Sequence, residues 1–172
     1  DDAITGALER IVRLLDVDRC QLIRLGSRAG DVDVTHSWAL DTQWVVRPRS
    51  VAADFPWVFA CHRAGKPSVA PCVSAMPDDL AIDRESFRRV GVRAHLGVPL
   101  MVSGKAEGSL AFGSMRGEIE WSDELIERAM VLGTVFGNAL AHKRAQESLD
   151  VAIGFERTIS QVLASLLTAP RS

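Results

Sequence analysis

Three cysteines and four histidines are the residues of this 172-residue chain with the most chemistry to offer. A thiol beside an imidazole can act as an activated nucleophile, and Cys61-His62 is such a pair. Nothing around it adds a second signature. Cys20, Cys61 and Cys72 form no CxxC pair and, His62 apart, have no histidine at ligand spacing. The plain expectation for the pair is a buried cysteine beside a surface histidine. An odd cysteine count favours reduced thiols, so a cytoplasmic location is expected. His36, His62, His95 and His142 show no HExxH spacing, and no G-x-S-x-G elbow, phosphate loop or paired-carboxylate signature is present. No catalytic residue and no metal ligand is therefore expected.

A binding site asks for less. Ligand pockets are mostly apolar, with a few placed polar groups. Trp38, Trp44, Phe55, Trp57, Phe59 and Phe87 fall in segments that would cover a sheet, where a plain core would also use them. His95 is a polar residue on an apolar strand, and a neutral imidazole there can hydrogen-bond a ligand. Trp38, Trp57, Cys61, Phe87 and His95 form the expected ligand-binding set.

Composition bounds the classes open to the chain. It is 47% hydrophobic and 24% charged, with a formal net charge of -2. That is ordinary for a globular domain and argues against a nucleic-acid surface or a polybasic membrane patch. The apolar run 129–141 is too short to cross a bilayer and contains Asn138. The chain opens on Asp1-Asp2 without an initiator Met, so a fragment of a longer protein is expected, with no signal peptide.

The elements that must position these residues are readable from periodicity. Ile4, Leu8, Ile11, Val12 and Leu15 make a helical stripe, with Asp1 and Asp2 at its N-terminus. Residues 20–25 and 32–39 flank a glycine-bearing turn and read as a hairpin. Alternation in the second strand puts Val34, His36 and Trp38 on one face. Residues 41–54 read as a loop, and a short helix is expected over 56–64, opened by Pro56 and stopped at Gly65. Residues 66–73, punctuated by Pro67 and Pro71, suit an edge strand. A helix over 83–90, closed by Gly91, leads to a second hairpin: 92–102, the turn Ser103-Gly104-Lys105, and 106–113. Along its first strand Ala94, Leu96, Val98, Leu100 and Val102 share one face, with His95, Gly97 and Pro99 on the other.

The last helix starts at Ser122, a good N-cap, with Asp123 and Glu124 in its first turn and Trp121 placed to staple Ile126. After His142-Lys143-Arg144 its pattern narrows to Ala145, Leu149, Ala152, Glu156, Ile159, Leu163 and Leu166, a 4-3-4-3 seam that suits a partner helix. A hinge at Gly154 that folds the helix back is the alternative, and Pro170 ends the element. The fold class is α+β, a central antiparallel sheet flanked by helices, followed by a long C-terminal helix. The expected organisation is a domain over 1–148 and a coiled-coil linker helix over 149–172.

The stretch Asp54-Phe55-Pro56-Trp57-Val58, the block 83–100, Gly108-Ser109-Leu110-Ala111-Phe112-Gly113 and the helix start Glu120-Trp121-Ser122-Asp123-Glu124-Leu125 resemble GAF domains of bacterial signalling proteins. The resemblance covers 4–148. It implies a sheet of five or six strands, a small-molecule or protein-regulated pocket on one face, and terminal helices that pair into a homodimer on the other. Such domains sit beside histidine kinase, cyclase or transcription-activator outputs, so a covalently linked output domain is expected.

The same resemblance speaks against several cofactors. Bilin-binding relatives carry their Cys-His pair shortly before the Gly-Val strand, a place held here by Ile82 and Asp83, while Cys61-His62 lies well upstream. Cyclic-nucleotide-binding relatives carry an Asn-Lys pair that is absent, and Asp123-Glu124 alone fits a helix first turn. Haem would need an axial histidine such as His36 or His95, and His95 stands where relatives have a small or apolar residue. Bilin, haem and cyclic nucleotide thus find no support, and the cofactor stays unknown. A methionine sulfoxide reductase using Cys61 and Cys72 is a minor alternative. The principal expectations are a ligand-sensing regulatory domain, or a ligand-free dimerisation and relay module.

Overall fold

A computed structural model describes residues 2–26, 28 and 30–168, with the side chains of Glu147 and of 149–168 outside that description. Asp1, Pro170 and the seam side chains Leu149, Ala152, Glu156, Ile159, Leu163 and Leu166 therefore lie outside it. The chain divides into two compact units, Asp1–Gly137 and Asn138–Ser172. The described part of the second unit, 138–168, is helix. Among the described residues no helix is long and apolar enough to cross a membrane.

Six strands form one antiparallel sheet: β1 (Arg19–Leu25), β2 (Val32–Ala39), β3 (Arg49–Ser50), β4 (Ser68–Ala70), β5 (Ala94–Val102) and β6 (Lys105–Ser114), in spatial order β3-β2-β1-β6-β5-β4. β4 sits at the edge, where the flanking prolines cost no ladder hydrogen bonds. The β5–β6 hairpin closes through Ser103 (φ 50°) and Gly104 (φ 79°), both left-handed, while Val102 pairs with Lys105. Two left-handed residues match the right-handed twist of the flanking strands, which is why a glycine belongs there.

Two helices cover one face. In α1 (Asp2–Leu15) the stripe Leu8, Ile11, Val12 and Leu15 is buried. The last helix, α4 (Asp123–Thr168), begins at the Ser122 hydroxyl, which accepts the Leu125 N–H at 3.2 Å. It runs unbroken through Gly154. In the first unit it lies hard against β5: a methyl group on Gly133 would stand 2.7 Å from the Pro99 carbonyl oxygen. The apolar residues Leu96, Val98, Leu110 and Phe112, each 0% exposed, fill this side.

The opposite face carries more than loops. It is covered by α2 (Pro56–Arg63), α3 (Ala81–Arg89) and the 41–54 segment, which holds a 3-10 turn at Thr42–Trp44 and the two-residue strand β3. The N-terminus of α2 has no capping side chain of its own. Asp83 of α3 supplies the cap, accepting the Trp57 and Val58 N–H groups at 3.1 Å each. Burial pushes the Asp83 carboxyl up, and these bonds only partly offset it.

Strand β2 departs from simple alternation. Leu22 pairs with His36 and Ile23 with Val34, so Thr35 is an extra residue in a bulge, its hydroxyl donating to the Leu22 carbonyl at 3.1 Å. Cross-strand partners point to the same face, and the bulge reverses the phase. Val34 joins Ile23 on the α2–α3 face, while His36 and Trp38 join Leu22 and Cys20 under α1. The expected grouping of Val34, His36 and Trp38 on one face is corrected accordingly.

Candidate functional site

The α2–α3 face holds a partly open cavity of about 40 Å³. The sheet floor brings Arg19, Gln21 and Ile23 from alternate positions of β1, Val34 from β2, His95 from β5 and Ala111 from β6. Phe55, Phe59 and Phe87 form an aromatic wall, and Val46, Arg49 and Val51 close it from the 41–54 segment. Phe55 and Phe87 meet at 4.8 Å between ring centroids, and Phe87 tilts over His95 at 4.6 Å. The 46–55 stretch is anchored where the Val46 N–H donates to the Ser37 hydroxyl at 3.1 Å.

Arg19 is the unusual group. It is 6% exposed, and its Nη1 donates to the Trp44 carbonyl at 3.2 Å. Burial, with Arg49 adding repulsion, lowers its pKa to about 10, so it stays charged at neutral pH. Arg49 is better served: its Nη1 reaches Asp54 Oδ2 at 2.9 Å. Gln21, 9% exposed, makes no side-chain hydrogen bond among the described residues.

Beneath α2 lies a buried polar relay. Ser68 Oγ stands 3.0 Å from His62 Nε2 and 2.9 Å from His95 Nε2. Burial drops the His62 pKa to about 4, against an opposing Gly97 main-chain bond. Burial, His62 and Arg19 drop His95 to about 3. Both rings are neutral at physiological pH. Ser68 has one proton, so one ring must donate Nε2–H while the other accepts. His62 Nδ1 is buried without a partner, and a bare lone pair there costs less than an orphaned N–H. The tautomers assigned on that ground are His62 Nε2–H to Ser68, Ser68 O–H to His95 Nε2, and the His95 proton on Nδ1.

Of the five expected ligand residues, the structure brings Phe87 and His95 to the cavity. Trp38 lies on the other face of the sheet, its ring 5.6 Å from the Arg13 guanidinium carbon. Trp57 lines a separate groove with Val69, Pro71, Cys72 and Leu80. Cys61 follows it one turn later on α2, half-buried, while Val58, Phe59 and His62 take the inward face. The pair's expected roles are thus exchanged: His62 is 0% exposed and Cys61 is the more open residue. Burial, then the nearby Asp83, pushes the Cys61 thiol up, the reverse of activation. Neither Cys61 nor Cys72 lines the cavity. Arg19 and Gln21 were missed; the alternation Arg19, Gln21, Ile23 against Cys20, Leu22 was the available signal.

No curated protein matches the chain. Among solved structures it is similar to the GAF3 domain of Slr1393 from Synechocystis sp. PCC6803 in its photoproduct state (TM-score 0.68, 19% identity, 86% of this chain and 98% of that one). It is similar also to a domain described as belonging to a two-component sensor histidine kinase protein of Sinorhizobium meliloti 1021 (TM-score 0.66, 18% identity, 87% and 96%). A third is the GAF domain of a phosphoenolpyruvate-protein phosphotransferase from Coxiella burnetii (TM-score 0.63, 16% identity, 86% and 85%). At these identities the likeness concerns the fold. The GAF domain model matches residues 1–140, and with this sheet order and these covering helices the chain belongs to the GAF domain family.

Proposed function

We propose that this GAF domain is a sensory regulatory module of a multidomain signalling protein, in which a small molecule enters the α2–α3 cavity and biases the helices on the opposite face. The observation that carries this reading is the cavity itself: an aromatic wall facing Arg19, Gln21 and His95, all buried in a covering of short elements. Apolar walls with a few converging polar groups are how ligand sites are built. A ligand shifts such a domain only by binding one arrangement better than another. Photoreceptor and sensor-kinase domains among the structural neighbours agree with a signalling role. The 149–172 segment then serves as the helix leading to an output.

The test is a thermal-shift screen of the purified chain against a broad metabolite set, beside an Ala111→Phe variant that fills the cavity. The expected result is a rise in melting midpoint for a small family of compounds, lost in the filled variant. No stabilisation by any compound, or shifts that persist unchanged in Ala111→Phe, would overturn the reading.

A second reading, a homodimer through the terminal helices, has its own observation. Leu14, Val131 and Val135 are 73%, 62% and 60% exposed, and Leu14 and Val131 border one groove between α1 and α4. Exposed aliphatic side chains grouped in this way mark an interaction surface. The occupant we propose is the same surface of a second copy, since an isologous pairing buries both patches at once. In sedimentation, Leu14→Glu with Val131→Glu is expected to convert dimer to monomer, and truncation after His142 to weaken the dimer. A dimer indifferent to both changes would remove this reading.

A further inference from the structure

The cavity is chemically lopsided. Arg19 carries a full charge inside it, yet its one hydrogen bond goes to a neutral carbonyl, that of Trp44. No carboxylate pairs with it among the described residues, and the charge that acts on it most is another cation, Arg49. A guanidinium offers five N–H donors in a planar fork. Most of that fork is unused. Burying a cation without a counter-charge is unfavourable, so an anion that joins it gains more than it would at the surface.

The neighbours narrow the anion. Arg49 shares the Asp54 carboxylate with Arg89, each at 2.9 Å, whereas Arg19 has no carboxylate among the described residues and is the most deeply buried cation of the cavity. Gln21 adds a carboxamide without a side-chain hydrogen bond among the described residues, and the aromatic part of the wall is Phe55, Phe59 and Phe87. A cavity of about 40 Å³ admits a guest of few heavy atoms unless the 46–55 stretch moves. Ligand sites for larger molecules run to roughly 300–1,000 Å³.

We propose that the GAF cavity binds a small monocarboxylate with an apolar body, its carboxylate bidentate on Arg19 with Gln21 alongside, and its body against Phe55, Phe59 and Phe87. The proposal rests on the sensing reading above and names the chemical class of its ligand. Bidentate pairing suits the planar carboxylate, and the aromatic wall excludes a guest that is charged at both ends. The affinity of such a guest falls when its acid is protonated, because Arg19 then loses its partner.

The experiment is calorimetry and thermal shift on the purified chain with propionate and butyrate, beside propionamide, butyramide, propylamine and inorganic phosphate. Both carboxylates are expected to bind, with the amides at least roughly tenfold weaker, as loss of a charge-assisted pair implies. Arg19→Gln is expected to erase the difference between acid and amide, and Arg24→Gln, on the other sheet face, to leave it intact. Should Arg19→Gln fail to fold, the comparison of acids with amides on the unaltered chain decides alone. Amides as tight as acids would overturn this proposal and leave the sensing reading standing. Phosphate as tight as the carboxylates would overturn the apolar body. Silence from every probe would overturn the proposal, and the broad metabolite screen would then judge the sensing reading separately.

Discussion

Asp18→Ala is expected to destabilise the domain by about 2–4 kcal/mol, because two main-chain N–H groups lose their buried acceptor. Asp18, 1% exposed, sits just before β1 and ties it to the chain leaving β6. One of its oxygens accepts the Met115 and Arg116 N–H groups at 2.7 and 3.0 Å, and the other accepts Arg116 Nε at 2.5 Å. Truncation strands the two main-chain N–H groups, while the Arg116 guanidinium, 61% exposed, turns to water. For a chain of this size the loss corresponds to a melting-point drop of roughly 4–16 °C. Burial alone would raise this carboxyl, but the hydrogen bonds from Arg116 and Met115 outweigh it and hold the pKa below the ordinary 3.8. Its stabilisation is therefore complete above the unfolded value and drains away as pH falls through the folded one. Melts of Asp18→Asn and the unaltered chain should differ clearly at pH 7 and converge in strong acid. An equal gap at both extremes would show that the charge contributes nothing.

Gly97→Val is expected to cost about 3 kcal/mol, by overpacking together with rupture of the buried relay. A Cβ at Gly97 would stand 2.6 Å from Ser68 Oγ and 2.7 Å from His62 Nε2. Ser68 and His62 are each 0% exposed and have no space into which to retreat. Even alanine meets that contact, so Gly97→Ala should be eased by Ser68→Ala, which deletes the obstructing oxygen. A double-mutant cycle in thermal melts measures the relief, and strict additivity would contradict the packing account. The same relay leaves a pH signature. His62 titrates at about 4 and His95 at about 3 in the folded chain, against an ordinary 6.5. The unfolded chain thus binds more protons throughout that window, and stability falls as pH drops below about 6.5. A melting midpoint flat from pH 7 to pH 4.5 would show that the histidines are not held neutral.

Much of the architecture was legible because it depends on local signals. The hairpins were marked by glycine-bearing turns, the edge position of β4 by its prolines, and the start of α4 by Ser122. What escaped reading was set at a distance. β3 has two residues and no pattern of its own; it exists because Asp33 and Val34 offer Ser50 and Arg49 a partner. Thr35 gives no local sign of a bulge, yet it moves Trp38 off the cavity face. The phase of α2 was misjudged because Cys61-His62 invites attention to the cysteine, whereas the buried set Val58, Phe59 and His62 decides which way the helix turns. Half of the cavity's polarity was visible in His95. The other half, Arg19, lies one residue before the expected strand 20–25, and the sheet places it inside.

The fit of α4 on β5 gives the sheet a mechanical property. Gly133 and Gly137 bring the helix onto main-chain atoms of Pro99, Leu100 and Met101, while Gly97 and His95, just earlier on the same strand, meet the relay on the other side. One strand is thus the whole thickness of the partition between the cavity and the helix. Side chains ordinarily act as springs that absorb small displacements, and here the nearest atom to Gly133 is the Pro99 carbonyl oxygen, with the Val98 methyl beside it. A joint this close leaves little slack, so a tilt of the Pro99 peptide plane cannot occur without α4 giving way at Gly133.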